Sequence, residues 1–229
     1  RCLAKEREWF IHFVGKKAFD IDGLGEKVVV QLLDQGFLGD PADIFTLTEK
    51  DFLQLPLFKE KRAGNLMVAI EKAKEVSLSR FLFSLGIRHV GEGTSQDLAR
   101  VIARSSATKH SPFFPTEIFH TMHHFSLDEI NAIEGFGDIV AKSVHAFFHD
   151  EKMKHFFEKL GKVGVRIFSD VNEKKTALSG KKIVVTGTLK NFSREAIKDI
   201  IKRSGGMVQS DVSAKTDFLL CGEEPGSKL

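Results

Sequence analysis

The chain has 229 residues, 42% of them apolar and 28% charged, with a formal net charge of +3. That length accommodates more than one domain, and the composition is that of an ordinary soluble globular protein with room for local basic patches. No apolar run of membrane-spanning length and no signal peptide is visible, so no membrane partner is expected.

Two cysteines, Cys2 and Cys221, stand near opposite ends and make no CxxC and no disulfide framework. That pattern suits a reducing cytosol. The chain opens Arg1-Cys2-Leu3 without an initiator Met, and both ends read as cuts through a longer protein.

Residues 18–29, AFDIDGLGEKVV, carry Gly23-Leu24-Gly25, with a helical pattern running on to Gly36, a natural C-cap. Taking Gly25 as a reference, the same register recurs downstream. Residues 52–63, FLQLPLFKEKRA, place Leu57-Phe58-Lys59 in it. Residues 84–95, SLGIRHVGEGTS, place His89-Val90-Gly91, and residues 133–143, IEGFGDIVAKS, place Gly135-Phe136-Gly137. In each copy an apolar residue (Ile21, Leu55, Ile87, Ile133) lies four positions before the reference. Four positions after it stands Val29, Ala63, Ser95 or Ala141.

References at 25, 59, 91 and 137 define a repeat of mostly 32 to 34 residues, its last gap stretched by the polar run 105–112. Each unit reads as helix, tight hairpin, helix. A dinucleotide fingerprint needs a strand before the first glycine and a third glycine after it, and neither is present.

Glycines at such a turn permit positive φ and remove the Cβ shield, and the following helix starts with unpaired N–H groups at the positive end of its dipole. That makes a small anion site that reads a phosphate backbone rather than bases. The residue between the glycines is expected to plug the core and fix the loop. The candidate DNA-binding residues are therefore Gly23, Leu24, Gly25, Lys27, Lys59, Lys61, Arg62, Arg88, His89, Val90, Gly91, Gly135, Phe136, Gly137 and Lys142. One copy alone would be an ordinary helix–helix turn; four in register favour nucleic acid. The second copy, without either glycine, is a structural copy or works through Lys59, Lys61 and Arg62.

His120, His123 and His124 share a predicted helical face, as do His145 and His149. No Cys, Asp or Glu completes a metal set, so solvated faces are expected. Polar residues 169–177 read as a linker, and after them the period changes. Residues 182–187, KIVVTG, read as a buried strand. Ser193 is a natural N-cap for a helix from Arg194 to Arg203 that stops at Gly205-Gly206. Met207-Val208 and residues 218–221 read as further strands, with Cys221 expected in the core. Strand, helix, strand, strand suggests a small α/β sheet, with a further helix and strand expected beyond Leu229.

These strings resemble the C-terminal half of bacterial NAD-dependent DNA ligases. The stretches FDIDGLGEKVVVQLL, RFLFSLGIRHVGEGTSQDLAR and the long run from LSGKKIVVTGTLKNFSREAIKDIIKRSGG onward carry the resemblance, and the last looks like a BRCT domain. The implied fold is a mostly α domain of four tandem helix-hairpin-helix units followed by a small, incomplete α/β BRCT-like domain. The implied layout is 1–16 as the end of a zinc finger with a connecting helix, 17–168 as the helix-hairpin-helix domain, 169–177 as a linker and 178–229 as the BRCT-like domain.

The resemblance further implies that Cys2 is the last of four zinc-finger cysteines, of which this chain lacks the other three. It implies a nucleotidyl-transfer lysine in an adenylation domain, and no KxDG string occurs here, so the fragment alone should be inactive. NAD, Mg and Zn are implied for the parent and no cofactor for this fragment. The implied partner is nicked duplex DNA, gripped through its minor-groove backbone without sequence preference. The missing adenylation and OB-fold parts would be intramolecular partners, in the bacterial cytoplasm at the nucleoid. In BRCT domains that hold a phosphate, the matching positions are Thr186, Gly187, Arg194 and Lys228. The alternative functions are a repair scaffold built from the same modules, and a phosphopeptide-binding module without ligase activity.

Overall fold

The computed structural model describes residues 3–105, 112–170, 178, 180–187, 189, 193–209, 211–213 and 216–223. The chain divides into two compact units, Arg1–Val171 and Asn172–Leu229.

The first unit is helical. In order it contains α1 (Leu3–Val14), α2 (Glu26–Asp34), a 3-10 helix (Pro41–Thr46), α3 (Glu49–Leu53) and α4 (Glu60–Ala73). These are followed by β1 (Glu75–Ser77), α5 (Leu78–Ser84), α6 (Glu92–Ser105), α7 (Pro115–His123) and α8 (Leu127–Asn131), then α9 (Asp138–Phe148), α10 (Glu151–Lys162) and β2 (Arg166–Phe168). The pairs α1–α2, α3–α4, α5–α6 and α8–α9 each pack together across one of the four repeated turns.

Helices α3 and α8 have five residues each, too short to persist on propensity alone. Each is held at its N-terminus by a capping box. The Asp51 carboxylate accepts the Thr48 N–H at 2.7 Å, and the Glu129 carboxylate accepts the Ser126 N–H at 2.8 Å. Phe52 and Ile130 anchor them, fully buried, in the core.

That core is built on phenylalanine. Phe13 stacks on Phe19 at 4.3 Å between centroids, Phe81 meets Phe157 edge-on at 5.6 Å, and Phe119 lies 6.0 Å from Phe148. Aromatic rings without hydroxyls fill this volume with no polar group to satisfy, which suits a chain with 21 Phe and no Tyr. Residues 1–16, expected as a zinc-finger end and connecting helix, contain α1, whose Phe10, Phe13 and Val14 are buried in the same core. The helical reading did not anticipate β1 and β2, which pair in parallel with Val76 opposite Ile167. Three-residue strands leave no period to read.

The second unit contains β3 (Lys182–Thr186), α11 (Arg194–Arg203), β4 (Met207–Gln209) and β5 (Phe218–Cys221) in a parallel sheet ordered β4-β3-β5. Ile183 and Val185 of β3 pack with Ile201 of α11. Ser193 caps α11, its Oγ accepting the Ala196 N–H at 3.1 Å. Cys221, expected in the core, is exposed. It ends β5 directly after Leu220, which packs with Ile183, Val185 and Ile201, so its own side chain points to the opposite face of the sheet.

Candidate nucleic-acid interface

The four turns share one backbone hydrogen-bond pattern. The first residue of each triplet has positive φ: Gly23 at 81°, Leu57 at 66°, His89 at 65° and Gly135 at 87°. The middle residue (Leu24, Phe58, Val90 or Phe136) is buried. Its N–H donates to the carbonyl of Ile21, Leu55, Ile87 or Ile133 at 3.1, 3.2, 3.0 and 3.0 Å respectively. The reference residue (Gly25, Lys59, Gly91 or Gly137) immediately precedes the next helix, and its carbonyl accepts the N–H of Val29, Ala63, Ser95 or Ala141 at 3.1, 3.0, 2.9 and 3.0 Å. Those last four residues all have zero exposure, which is why small or compact side chains recur there.

Gly25, Lys59 and Gly137 carry no acceptor side chain, so nothing from the N-cap residue closes over the first-turn N–H groups of α2, α4 and α9. The glycines at Gly25 and Gly137 are not required by conformation, with φ of −79° and −96°. Packing does not require them either: a Cβ on Gly25, Gly91 or Gly137 would meet nothing within 4 Å. What the missing Cβ does is leave the helix N-terminus open to an external group. At the second turn Lys59 occupies that place, so this copy presents an ammonium rather than bare backbone.

The candidate cations Lys27, Lys59, Lys61, Arg62, Arg88 and Lys142 are all exposed, as is His89. The Arg62 guanidinium lies 4.1 Å from the centroid of Phe58, whose ring stacks on Phe52 at 5.8 Å, so its charge is held beside the second turn.

A feature missed in the sequence is an acidic column. The residue after each reference is Glu26, Glu60, Glu92 or Asp138. Placed at the first helical position, these carboxylates favour the helix dipole but compete with an incoming anion. Three are drawn onto partners: Glu26 onto Arg7 at 3.0 Å, Glu92 onto Lys17, and Asp138 onto the Asn131 amide at 2.9 Å. The column was legible once the copies were set in register. Its pairing was not, because Arg7 and Lys17 come from elsewhere in the chain.

The structure also ties the turns to one another. Arg80 of α5 donates to the carbonyls of Ala18 and Lys16 at 2.9 and 2.8 Å, bracing the loop that leads into the first turn. A Cβ on Gly23 would lie 3.6 Å from Leu66 of α4. The first turn therefore sits against the helix that follows the second turn and is braced by the helix that precedes the third. Lys159 of α10 bridges Asp40 at 2.9 Å and Asp43 at 2.6 Å. Burial alone would raise the Asp43 carboxyl, but hydrogen bonds from Lys159 and from the N–H groups of Asp40 and Gly39 outweigh it and hold the carboxyl below its ordinary value.

The histidines lie on solvated faces as expected, with His120, His123, His124 and His149 exposed, but the two groups meet. His149 stacks on His145 at 3.9 Å and on His123 at 4.4 Å. Partial burial, then the neighbouring His149 and His123, lower the His145 pKa. Among the described residues no group of three or more His, Cys, Asp or Glu is arranged to hold a metal ion. Cys2 lies outside the described residues.

In the second unit, Thr186 is buried at the end of β3, and its carbonyl accepts the Gly222 N–H at 2.8 Å. Gly187 has φ of 77°, and a Cβ there would fall 2.7 Å from the Glu223 carbonyl oxygen. Its glycine is thus explained by the neighbouring chain, independently of any phosphate. Arg194 opens α11, though its side chain is outside the description, and Lys228 lies outside the described residues.

Comparison with known proteins adds three findings. Residues 16–72 match the family model described as a SAM-like helix-hairpin-helix tandem, and residues 173–229 match the BRCA1 C Terminus (BRCT) domain. Over 228 residues the chain is 40% identical to a DNA ligase of Chlamydia caviae. The match covers 100% of this chain and 32% of that protein, so the chain spans about a third of the relative's length. The two family matches and the full-length similarity together support a C-terminal part of a DNA ligase.

Proposed function

We propose that this chain is the DNA-gripping part of an NAD-dependent DNA ligase, holding the backbone of nicked duplex while parts outside it seal a 3′-hydroxyl to a 5′-phosphate. The observation that carries this reading is the fourfold recurrence of the turn (same backbone sign, same two hydrogen bonds, same buried plug), with a bare glycine at the helix start in three of the four. A folding requirement alone would not keep glycine at Gly25, Gly91 and Gly137, where a Cβ meets nothing. A phosphate approaching the first-turn N–H groups would need that space.

Each turn contributes to one phosphate strand, and the grip is independent of base sequence because main-chain N–H groups touch no base edge. Lys27, Lys59, Lys61, Arg62, Arg88 and Lys142 add charge, with His89 contributing a ring nitrogen. Leu24, Val90 and Phe136 act from beneath, fixing the turns. Thr186, Gly187, Arg194 and Lys228 are assigned to a second phosphate site in the BRCT domain, subordinate to the turns. NAD, Mg and Zn belong to the whole ligase. Cys2 alone cannot hold zinc, and no step of the ligation is placed on this chain's residues. The adenylation and OB-fold parts would close over the duplex opposite this unit, in the cytoplasm at the nucleoid.

Fluorescence anisotropy with nicked and intact duplexes of scrambled sequence tests the reading. The chain should bind with affinity that falls steeply as salt rises from 50 to 200 mM, as expected for several phosphate contacts. An absence of salt-sensitive binding to either duplex sinks the proposal.

A further inference from the structure

The second turn departs from its three siblings in a way that folding does not explain. Its first position needs positive φ, which glycine supplies at Gly23 and Gly135 and histidine at His89. Glycine has no penalty there, and histidine visits this region more readily than most residues. Here it is Leu57, at φ of 66°. A bulky apolar residue in the left-handed region is an outlier that persists only where something else favours it.

Packing does not favour it. Leu57 is 90% exposed, the most exposed large hydrophobic residue among those described. Its side chain is therefore strained in its backbone and unburied at once, and both costs vanish with glycine. The surroundings identify what would bury it. Leu57 directly precedes the buried plug Phe58, and the exposed Lys59, Lys61 and Arg62 follow within five residues, Arg62 over the Phe58 ring, against the single carboxylate Glu60, so the turn carries a net positive charge. A partner that meets this turn must be polyanionic at its rim and apolar within reach of a side chain pointing past that rim. A duplex groove fits: phosphates line its edges, and deoxyribose and base edges lie between them.

We propose that Leu57 is an apolar finger of the DNA grip, inserted into the groove between the phosphate strands and packed on sugar and base edges. The second turn thereby exchanges the bare-backbone phosphate contact of the other copies for a lysine rim and a leucine wedge. Apolar wedges act this way in minor-groove binding, where they loosen the base step they enter. The contact is sequence-independent, because every step presents similar sugar edges. This proposal rests on the DNA-binding reading above.

The test uses the whole 229-residue chain with Leu57→Gly, Leu57→Asn and Leu57→Met. Glycine and asparagine both accept positive φ, so both variants should fold, with a melting midpoint unchanged or raised by roughly 2–4 °C as the strain is relieved. Affinity for duplex should move the opposite way, falling roughly tenfold for both as the buried apolar surface is lost. Leu57→Met should stay within about threefold of wild type, because it keeps the apolar volume. A duplex carrying a fluorescent adenine analogue should brighten on binding wild type and the Met variant, and less with Gly or Asn. Wild-type binding with equal affinity in all three variants overturns the finger and leaves Leu57 facing a protein partner or solvent. Failure of wild type itself to bind removes the DNA reading and the finger together, which distinguishes the two failures.

Discussion

Replacing Gly137 by alanine separates the role of backbone approach from that of backbone conformation. Gly137 is the N-cap of α9 at φ −96°, ψ 170°, and a Cβ there meets nothing within 4 Å. Alanine at an N-cap costs about 0.5–1 kcal/mol relative to better caps, while the loss of unfolded-chain freedom returns about 0.4–1 kcal/mol. The two nearly cancel, so the melting midpoint should shift by no more than roughly 2 °C. Binding should not be spared. A hydrogen bond between a main-chain N–H and an anionic phosphate contributes about 1.5–3 kcal/mol, so excluding it weakens the complex roughly 10- to 150-fold. The salt slope should stay close to wild type, because an amide carries no formal charge. Lys142→Ala, by contrast, should reduce the slope by up to about 0.9 if that ammonium neutralises a phosphate. Anisotropy titrations at several salt concentrations, paired with thermal melts, read both quantities. If the folded Gly137→Ala chain binds within about twofold of wild type, the first turn of α9 does not face a phosphate and the reasoning fails. Gly135→Val would be a poorer probe: at φ 87° a valine strains the backbone, and any loss would mix two causes.

Other substitutions probe separate links. Asp138→Ala should leave DNA affinity at or above wild type, since it removes a carboxylate beside the open helix start; a loss equal to that of Gly137→Ala would show that the wrong group has been assigned to the phosphate. Ser95 is fully buried and its hydroxyl has no hydrogen-bond partner, whereas two sibling turns carry Ala63 and Ala141 at that position. Ser95→Ala should therefore stabilise the first unit by about 1 kcal/mol in denaturant titration, and destabilisation would mean the hydroxyl is satisfied. Lys159→Ala should cost about 2 kcal/mol by breaking the bridge to Asp40 and Asp43. Because the folded Asp43 carboxyl sits below its ordinary value, its contribution is present above the ordinary carboxylate pKa and fades as pH falls through the lowered one; the raised Lys159 contributes below the ordinary lysine value and fades as pH rises past the raised one. The difference between wild type and variant should shrink at both extremes, and a pH-independent difference would contradict this. Gly187→Ala should unfold or loosen the second unit by about 2–3 kcal/mol, since its Cβ would collide with the Glu223 carbonyl; a neutral effect in hydrogen exchange of β3 would refute the packing argument.

Periodicity and register carried much of this protein in the sequence. The repeat of a buried anchor, a turn triplet and a compact residue four places later located the four turns, because each position answers a local steric demand that the chain meets in the same way each time. The limits of α11 and β3 were equally local, fixed by the Ser193 cap, the glycine stops and a β-branched run. Cys221 is exposed against expectation because an apolar strand does not reveal which of its two faces is covered.

What only tertiary structure decided depends on residues far apart in sequence. Arg80 braces the loop before the first turn from a helix over 60 positions away, and Arg7 and Lys17 draw two of the acidic side chains aside. His123 of α7 meets His149 at the end of α9. The opening stretch of the chain, expected as a connector, supplies Phe10 and Phe13 to the shared core. The sequence showed Leu57 as a lost glycine. The fold showed it holding glycine's backbone angle with its side chain in solvent, because the middle residue and the two turn hydrogen bonds impose that angle whatever stands there.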